Sequence, residues 1–288
     1  GWITHLATNG AGTIHDWEYA YGGRSEEDVR SHVAAGCFGT WDETGRYIHL
    51  AVSAGAVAGM GYGEALGHFI AEDGCALPER AALTAALSAW ARDPTDDPLM
   101  PARAELLQTM IRNELPAGFH RVVHPHKDFS LTAAAYQTRV PLTVHPGIGY
   151  DIICNNPAAN GATLGRGADT DYRTFAHSVM QLDGGVFLSV GSAIMAPQVF
   201  EKATSFANNL RRQQGLGPIQ PFILVNDLAA IEWDWRKSEP PQDNPAYYLR
   251  FCKSFSRMGG EMVYAGGDNK VLLTNLWAGL RDGTAYDR

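Results

Sequence analysis

Five short apolar runs, each closing on a glycine-rich or polar corner, constrain the fold of this chain more than any other feature. Residues 3–7 run into Thr8-Asn9-Gly10-Ala11-Gly12, residues 140–144 into His145-Pro146-Gly147, and residues 186–190 into Gly191-Ser192. Residues 222–225 run into Asn226-Asp227, and residues 262–265 into Gly266-Gly267-Asp268. Runs of this length read as strands buried on both faces, as in parallel sheets. The segments between them read as helices. Ser25 predicts an N-cap, Glu26, Glu27 and Asp28 suit the positive end of the helix dipole, and Gly36 closes that helix. Over residues 197–214, Val199, Phe200, Ala203, Phe206, Ala207 and Leu210 share one helical face, with Pro197 in the first turn and Gly215 at the stop. Further helices are expected over residues 129–137 and 172–182. Strands alternating with helices imply an α/β fold with an open parallel sheet and right-handed crossovers. Residues 93–101 and the charged, proline-rich residues 235–244 read as surface loops, so one domain over residues 1–288 is expected.

Composition narrows the function classes. Hydrophobic residues make up 45% of the chain, enough for a sizeable core, and the net charge of -8 argues against a nucleic-acid partner, which requires a basic face. Cys37, Cys75, Cys154 and Cys252 form no C-x-x-C pair, which fits a reducing compartment. No apolar run long enough to span a membrane exists, and residues 1–5 do not start a signal peptide. A cytoplasmic protein without a membrane partner is the expectation.

In open parallel sheets, ligands bind beyond the carboxyl ends of the strands. That edge would gather Thr8, Asn9, Gly10, His15, Asp16, His145, Asp151, Ser192, Asn226, Asp227 and Asp268, and all five corners are expected to converge on one cleft. Glycines let backbone approach a phosphate or ribose, and short carboxylates accept ribose hydroxyls. The competing explanation is ordinary loop punctuation. Asn9-Gly10-Ala11-Gly12 lacks the third glycine of a G-x-G-x-x-G fingerprint, so spacing alone does not identify a dinucleotide. His120, His124 and His126 with Asp128 form the densest ligand-capable cluster, but the preferred reading is a solvated loop with Asp128 as an N-cap, and no metal. Asp42, Glu43 and Arg46 read as an exposed helical face. Trp233, Trp235, Tyr247, Tyr248 and Phe251 are either core or the wall of a pocket for an amine or ring.

Several of these segments resemble the deoxyhypusine synthase family, in particular its bacterial branch. Residues 5–16, from His5 through the Asn9-Gly10-Ala11-Gly12 turn to His15-Asp16, are similar to the family's strand, glycine turn and helix start. Residues 141–151 look like its central strand and loop, residues 184–193 like its glycine-rich strand, and residues 262–265 like its last strand. Residues 245–253 keep its spacing from a proline to a catalytic lysine. The resemblance implies a Rossmann-like open parallel sheet with helices on both faces, bound NAD, and a homotetramer. It also implies hydride removal from an amine carbon, capture of the imine by a lysine, and transfer of an alkylamine group. By carry-over Lys253 is the nucleophile, in an apolar setting that lowers its pKa, and Asp151 binds the amine. Thr8, Asn9, Gly10, His15, Asp16, His145, Gly191, Ser192, Asn226, Asp227 and Asp268 lie near the cofactor.

The chain departs from the family pattern in places. Tyr247 stands where the family has an amine-binding glutamate, Phe251 replaces a tryptophan, and Gln198 stands near the position of a histidine. These three are expected to line the substrate site. Loss of the carboxylate removes a charge-assisted hydrogen bond of about 1.5–3 kcal/mol, which puts the polyamine substrate in question. The family's upstream glycine-rich or Ser-Asn segment is expected to be absent here. The alternatives are an NAD-dependent oxidoreductase or isomerase acting on a small metabolite, and a non-catalytic nucleotide-binding or assembly protein.

Overall fold

The computed structural model describes residues 1–25, 27–230, 232–237 and 239–283, with Arg250 described in its backbone alone. Glu26, expected in a helix start, lies outside the described residues. The chain is mixed α/β with small parallel sheets, and it divides into two compact units, Gly1–Phe175 and Ala176–Arg288.

The first unit is mainly helical. A short strand, β1 (Leu6–Thr8), leads into α1 (Gly10–Gly22), followed by α2 (Val29–Ala35), α3 (Asp42–Ala56) and α4 (Tyr62–Ala71). Next come β2 (Gly74–Leu77), α5 (Arg80–Arg92), α6 (Met100–Arg112), β3 (Gly118–Arg121), α7 (Leu131–Thr138) and β4 (Leu142–Val144). Strand β1 pairs in parallel with β4, while β2 and β3 form a separate antiparallel pair. The core is built on α3, in which every residue from 48 to 56 is buried. Against it pack Leu66, Phe69 and Ile70 of α4 and Leu106 and Met110 of α6, none of them exposed. Helix α4 approaches β4 through Gly63, where a Cβ would fall 2.0 Å from the Leu142 carbonyl oxygen.

Helix α8 (Gly161–Met180) runs from the first unit into the second. There β5 (Val186–Val190), α9 (Met195–Gln213), β6 (Phe222–Asp227), α10 (Arg250–Ser256), β7 (Glu261–Gly266) and α11 (Asn269–Asp282) follow. The strands form one parallel sheet in the order β5-β6-β7. Helix α10 packs on α9 and β7, and α11 lies on β6. Phe187 stacks on Phe200 at 3.9 Å between ring centroids, and Phe255 closes that cluster.

Several expectations need correction. The five runs form strands, but in two separate parallel sheets instead of one. Strand β5 has a partner on one side only, so Val186 is exposed instead of buried. The helix expected from Ser25 starts at Val29, because Asp28 accepts the Ser31 N–H at 3.0 Å. The helix expected near Phe129 starts at Leu131 with Ser130 as its N-cap, and α8 begins eleven residues before Tyr172. No described helix is long and apolar enough to cross a membrane, and the four cysteines are free.

Candidate functional site

The second unit brings three of the five corners together. In the register of its sheet Val190 faces Asn226 and Asp227 faces Gly266, so Gly191-Ser192, Asn226-Asp227 and Gly266-Gly267-Asp268 leave the strands at one edge. The Gly191 N–H donates to the Asn226 carbonyl at 2.9 Å, and the Gly267 N–H to the Asp227 carbonyl at 3.0 Å. Asn226 is buried. Its side-chain amide donates to the carbonyls of Ala265 (2.8 Å) and Gly267 (3.1 Å), and its Oδ1 has no partner among the described residues. A buried acceptor left bare costs roughly 1–3 kcal/mol, so a donor is expected there. Asp227 accepts the Ala229 N–H at 3.2 Å, and Ser192 the Ala196 N–H at 3.1 Å. Asp268 caps α11 by accepting the Lys270 and Val271 N–H groups. Its carboxylate therefore fills the helix N-terminus that a phosphate would otherwise use.

Lys253, on α10, has a side chain only 16% exposed, with Nζ 2.7 Å from Glu239 Oε1. Its ammonium also lies 3.5 Å above the Tyr247 ring centroid. Arg257, one turn later, grips the same carboxylate at 2.7 Å. Glu239 first, and Tyr247 second, hold the Lys253 pKa above its usual value. That reverses the direction expected from an apolar wall. Phe251 turns to the core and packs on Tyr264 at 6.2 Å, while Tyr248 is exposed and meets Tyr247 edge-on. Gln198 is exposed in the first turn of α9. Of the residues expected around the lysine, the structure brings Tyr247 to it. Glu239, in the charged loop, was not singled out from sequence because nothing in an irregular segment tells which carboxylate will fold back.

The first unit gathers the other two corners. His145 follows β4 and donates its N–H to the Thr8 carbonyl at 2.9 Å, and Asn9 caps α1 by accepting the Gly12 N–H at 2.8 Å. Buried Asp151 accepts the Gly147 N–H at 2.7 Å and lies against Gly10, where a Cβ would fall 2.7 Å from its Oδ2. The rings of His5 and His145 meet the buried Thr143 hydroxyl at 2.9 and 3.1 Å, and both stand edge-on to Phe175. Burial pushes both imidazoles down to about 4. Fully buried Tyr62 pairs its hydroxyl with Thr13 at 3.0 Å, and burial raises its pKa. Asp171 accepts backbone N–H groups of Gly63 and Val144, yet burial pushes its carboxyl up to about 7. Neither Tyr62 nor Asp171 carried a sequence signal beyond its residue type.

Two residues assigned near a cofactor have other tasks. Asp16 holds the start of α7, accepting the Ser130 hydroxyl at 2.7 Å, the Thr132 hydroxyl at 2.5 Å and the Leu131 N–H at 2.6 Å. His15 is exposed, and its Nδ1 meets Ser25 Oγ, whose proton goes to Glu18. The histidine cluster disperses as well. His120 bonds the Pro116 carbonyl, while His124 is buried among Trp17, Tyr21 and Phe69. Asp128 sits in a 3-10 turn and does not cap α7. No group of three metal-ligating side chains forms among the described residues. No family model matches the chain, and neither a curated protein nor a solved structure matches it.

Proposed function

We propose that the chain is an NAD-dependent enzyme similar to the deoxyhypusine synthases, acting on a small amine and transferring its alkylamine group. The observation that carries this reading is the strand-end edge of β5–β7, where Gly191, Ser192, Asn226 and Asp227 leave the strands and the buried Asn226 Oδ1 has no partner among the described residues. A Rossmann-like arrangement is part of the proposal, with this sheet as its nucleotide half. The residues fit a ribose or amide better than a pyrophosphate: Asn226 and Asp227 offer acceptors for hydroxyl or amide hydrogens, while Asp268 repels an anion at α11. NAD, when bound, supplies a hydride acceptor and later donor.

Lys253 is the proposed nucleophile. Capture of an imine requires its neutral amine, so its ion pair must open and its proton must leave. Glu239, 2.7 Å away, is the nearest group to take that proton, although Arg257 holds the carboxylate in its ionised form. Glu239 also supplies a carboxylate beside Tyr247, the position at which the family's glutamate is missing. The same three-residue ion pair favours a second reading, oxidation of a small metabolite without group transfer, in which Lys253 stays an ammonium. A homotetramer is proposed on the resemblance.

Calorimetric titration with NAD tests the site. Asp227→Ala should weaken binding by about tenfold or more, the worth of a hydrogen bond to a charged group. No binding by the wild type at millimolar NAD would refute the reading. Borohydride trapping with NAD and candidate amines separates the two mechanisms. Adducts in the wild type that are lost in Lys253→Ala support transfer, and equal adducts in both exclude Lys253.

A further inference from the structure

Helix α11 leans on β6, yet none of its fourteen residues is buried. Leu273 is 47% exposed, Leu276 41%, Trp277 56% and Leu280 38%. Their spacing, i, i+3, i+4 and i+7, puts all four on one stripe about 10 Å long. Single exposed apolar side chains are ordinary on any surface, but a continuous stripe marks an interaction site. Arg281 covers only part of it, with its guanidinium 4.5 Å over the Trp277 ring and its charge paired with Asp282. At those exposures the four side chains offer roughly 350 Å² of apolar surface, with Trp277 near the top of the aromatic range and each leucine below it. Homodimer interfaces are about 65% apolar, so such a core implies about 550 Å² per copy and about 1,100 Å² in total. That passes the roughly 1,000 Å² which a specific interface needs.

The charges around the stripe choose the occupant. Lys270 and Arg281 are matched by Asp268 and Asp282, so the helix has no net charge with which to draw a basic or an acidic partner. A chain of net charge -8 is repelled by an anionic lipid surface. The stripe is instead complementary to itself. Its midpoint falls between Leu276 and Trp277, and a helix lying across a twofold axis meets its own copy antiparallel. That places Leu273 of one copy against Leu280 of the other, and Leu276 against Trp277, with the two helix dipoles opposed. We propose that α11 is the face on which two copies of this chain associate, antiparallel, with Trp277 at the centre. The inference names a surface for self-association and stands without the dinucleotide site.

Sedimentation velocity on the full chain across the micromolar range tests this. The wild type should sediment as an even multiple of the chain mass. Trp277→Ala should weaken association by about tenfold or more, as loss of a central aromatic anchor does. Leu273→Lys and Leu280→Glu should each halve the mass. The two combined in one chain should associate more tightly than either alone, because the antiparallel register sets opposite charges across the seam. All these positions are exposed, so each variant should keep the circular-dichroism spectrum of the wild type. The proposal is overturned if the wild type is a monomer, if the three single variants associate like wild type, or if the combined variant associates no better than its two parents. Binding of the wild type to phosphatidylcholine vesicles in place of self-association would assign the stripe to lipid and overturn it as well.

Discussion

Replacing Asp16 with alanine tests whether this carboxylate serves a helix or a cofactor. Its two oxygens accept the Ser130 and Thr132 hydroxyls at 2.7 and 2.5 Å and the Leu131 and Thr132 N–H groups at 2.6 and 3.2 Å, all in the first turn of α7. Leu131 is half exposed, so its freed N–H can turn to water. Ser130 and Thr132 are buried, at 1% and 2% exposure, but their hydroxyls lie 3.1 Å apart and can bond each other once the carboxylate is gone. One buried hydroxyl then stays unsatisfied, at about 1–3 kcal/mol, and the favourable charge at the helix N-terminus is lost, at roughly 0.3–1 kcal/mol. The sum is about 1–4 kcal/mol. For a chain of this size that lowers Tm by roughly 3–15 °C in a circular-dichroism melt. Asp16→Asn, which keeps one strong acceptor, should fall between alanine and wild type. A Tm within about 1 °C of wild type in Asp16→Ala, together with loss of NAD binding, would refute the helix-anchoring role and return Asp16 to the cofactor.

Three further outcomes follow from buried groups and from the Lys253 ion pair. His5 and His145 are held near 4 against an ordinary 6.5, so their contribution to stability is complete above pH 6.5 and is lost as pH falls toward 4, by about 1.4 kcal/mol per pH unit for each proton. His124, also near 4, adds to that loss, while Asp171, raised to about 7, contributes stability that is lost as pH rises and so opposes it. Three protons outweigh one, so urea midpoints should drop from pH 7 to pH 5, and equal midpoints would contradict the burial of the histidines. Gly63→Ala should unfold or insolubilise the chain at a cost of roughly 3 kcal/mol or more, because α4 must part from the Leu142 carbonyl; a soluble variant with wild-type Tm would disprove that contact. Glu239→Gln should lower the Lys253 pKa and speed its labelling by an amine-reactive reagent near pH 9, and an unchanged rate would mean the ion pair does not form in solution.

The sequence was most legible where local chemistry and tertiary packing agree. Strand β5 was read to the residue, since a run of five residues, four of them apolar, between glycine corners is too short for a helix. Helix α9 was read within two residues because one face alone is apolar and Gly215 terminates it. Helix α3 was read only at its start, where Asp42, Glu43 and Arg46 form the expected exposed face and Arg46 pairs with Asp42. From residue 48 onward it is buried on nearly all sides, which erases the amphipathic period that marks a helix. The β2–β3 pair joins Cys75 to His120 across an intervening pair of helices, a register that no local pattern encodes. At the start of α7, Asp128 and Ser130 are both good caps, and the choice fell to Ser130, which a carboxylate from α1 holds in place. The strand-end corners were visible as residue types, but Glu239 reaches Lys253 through irregular chain.

Thr143 has one hydroxyl proton and two imidazoles competing for it, both through Nε2. The hydroxyl can donate to one ring at most, and a ring that receives no proton from it must itself carry hydrogen on Nε2, so at least one of His5 and His145 is the Nε2–H tautomer. When the hydroxyl donates to one of them, two chemically identical side chains are made different by a single shared atom. Moving the hydroxyl proton to the other ring inverts that arrangement, with each histidine exchanging its form for its neighbour's. Nitrogen-15 spectra of the two rings would then contain at least one Nε2–H signal, and Thr143→Val would release both rings to choose independently.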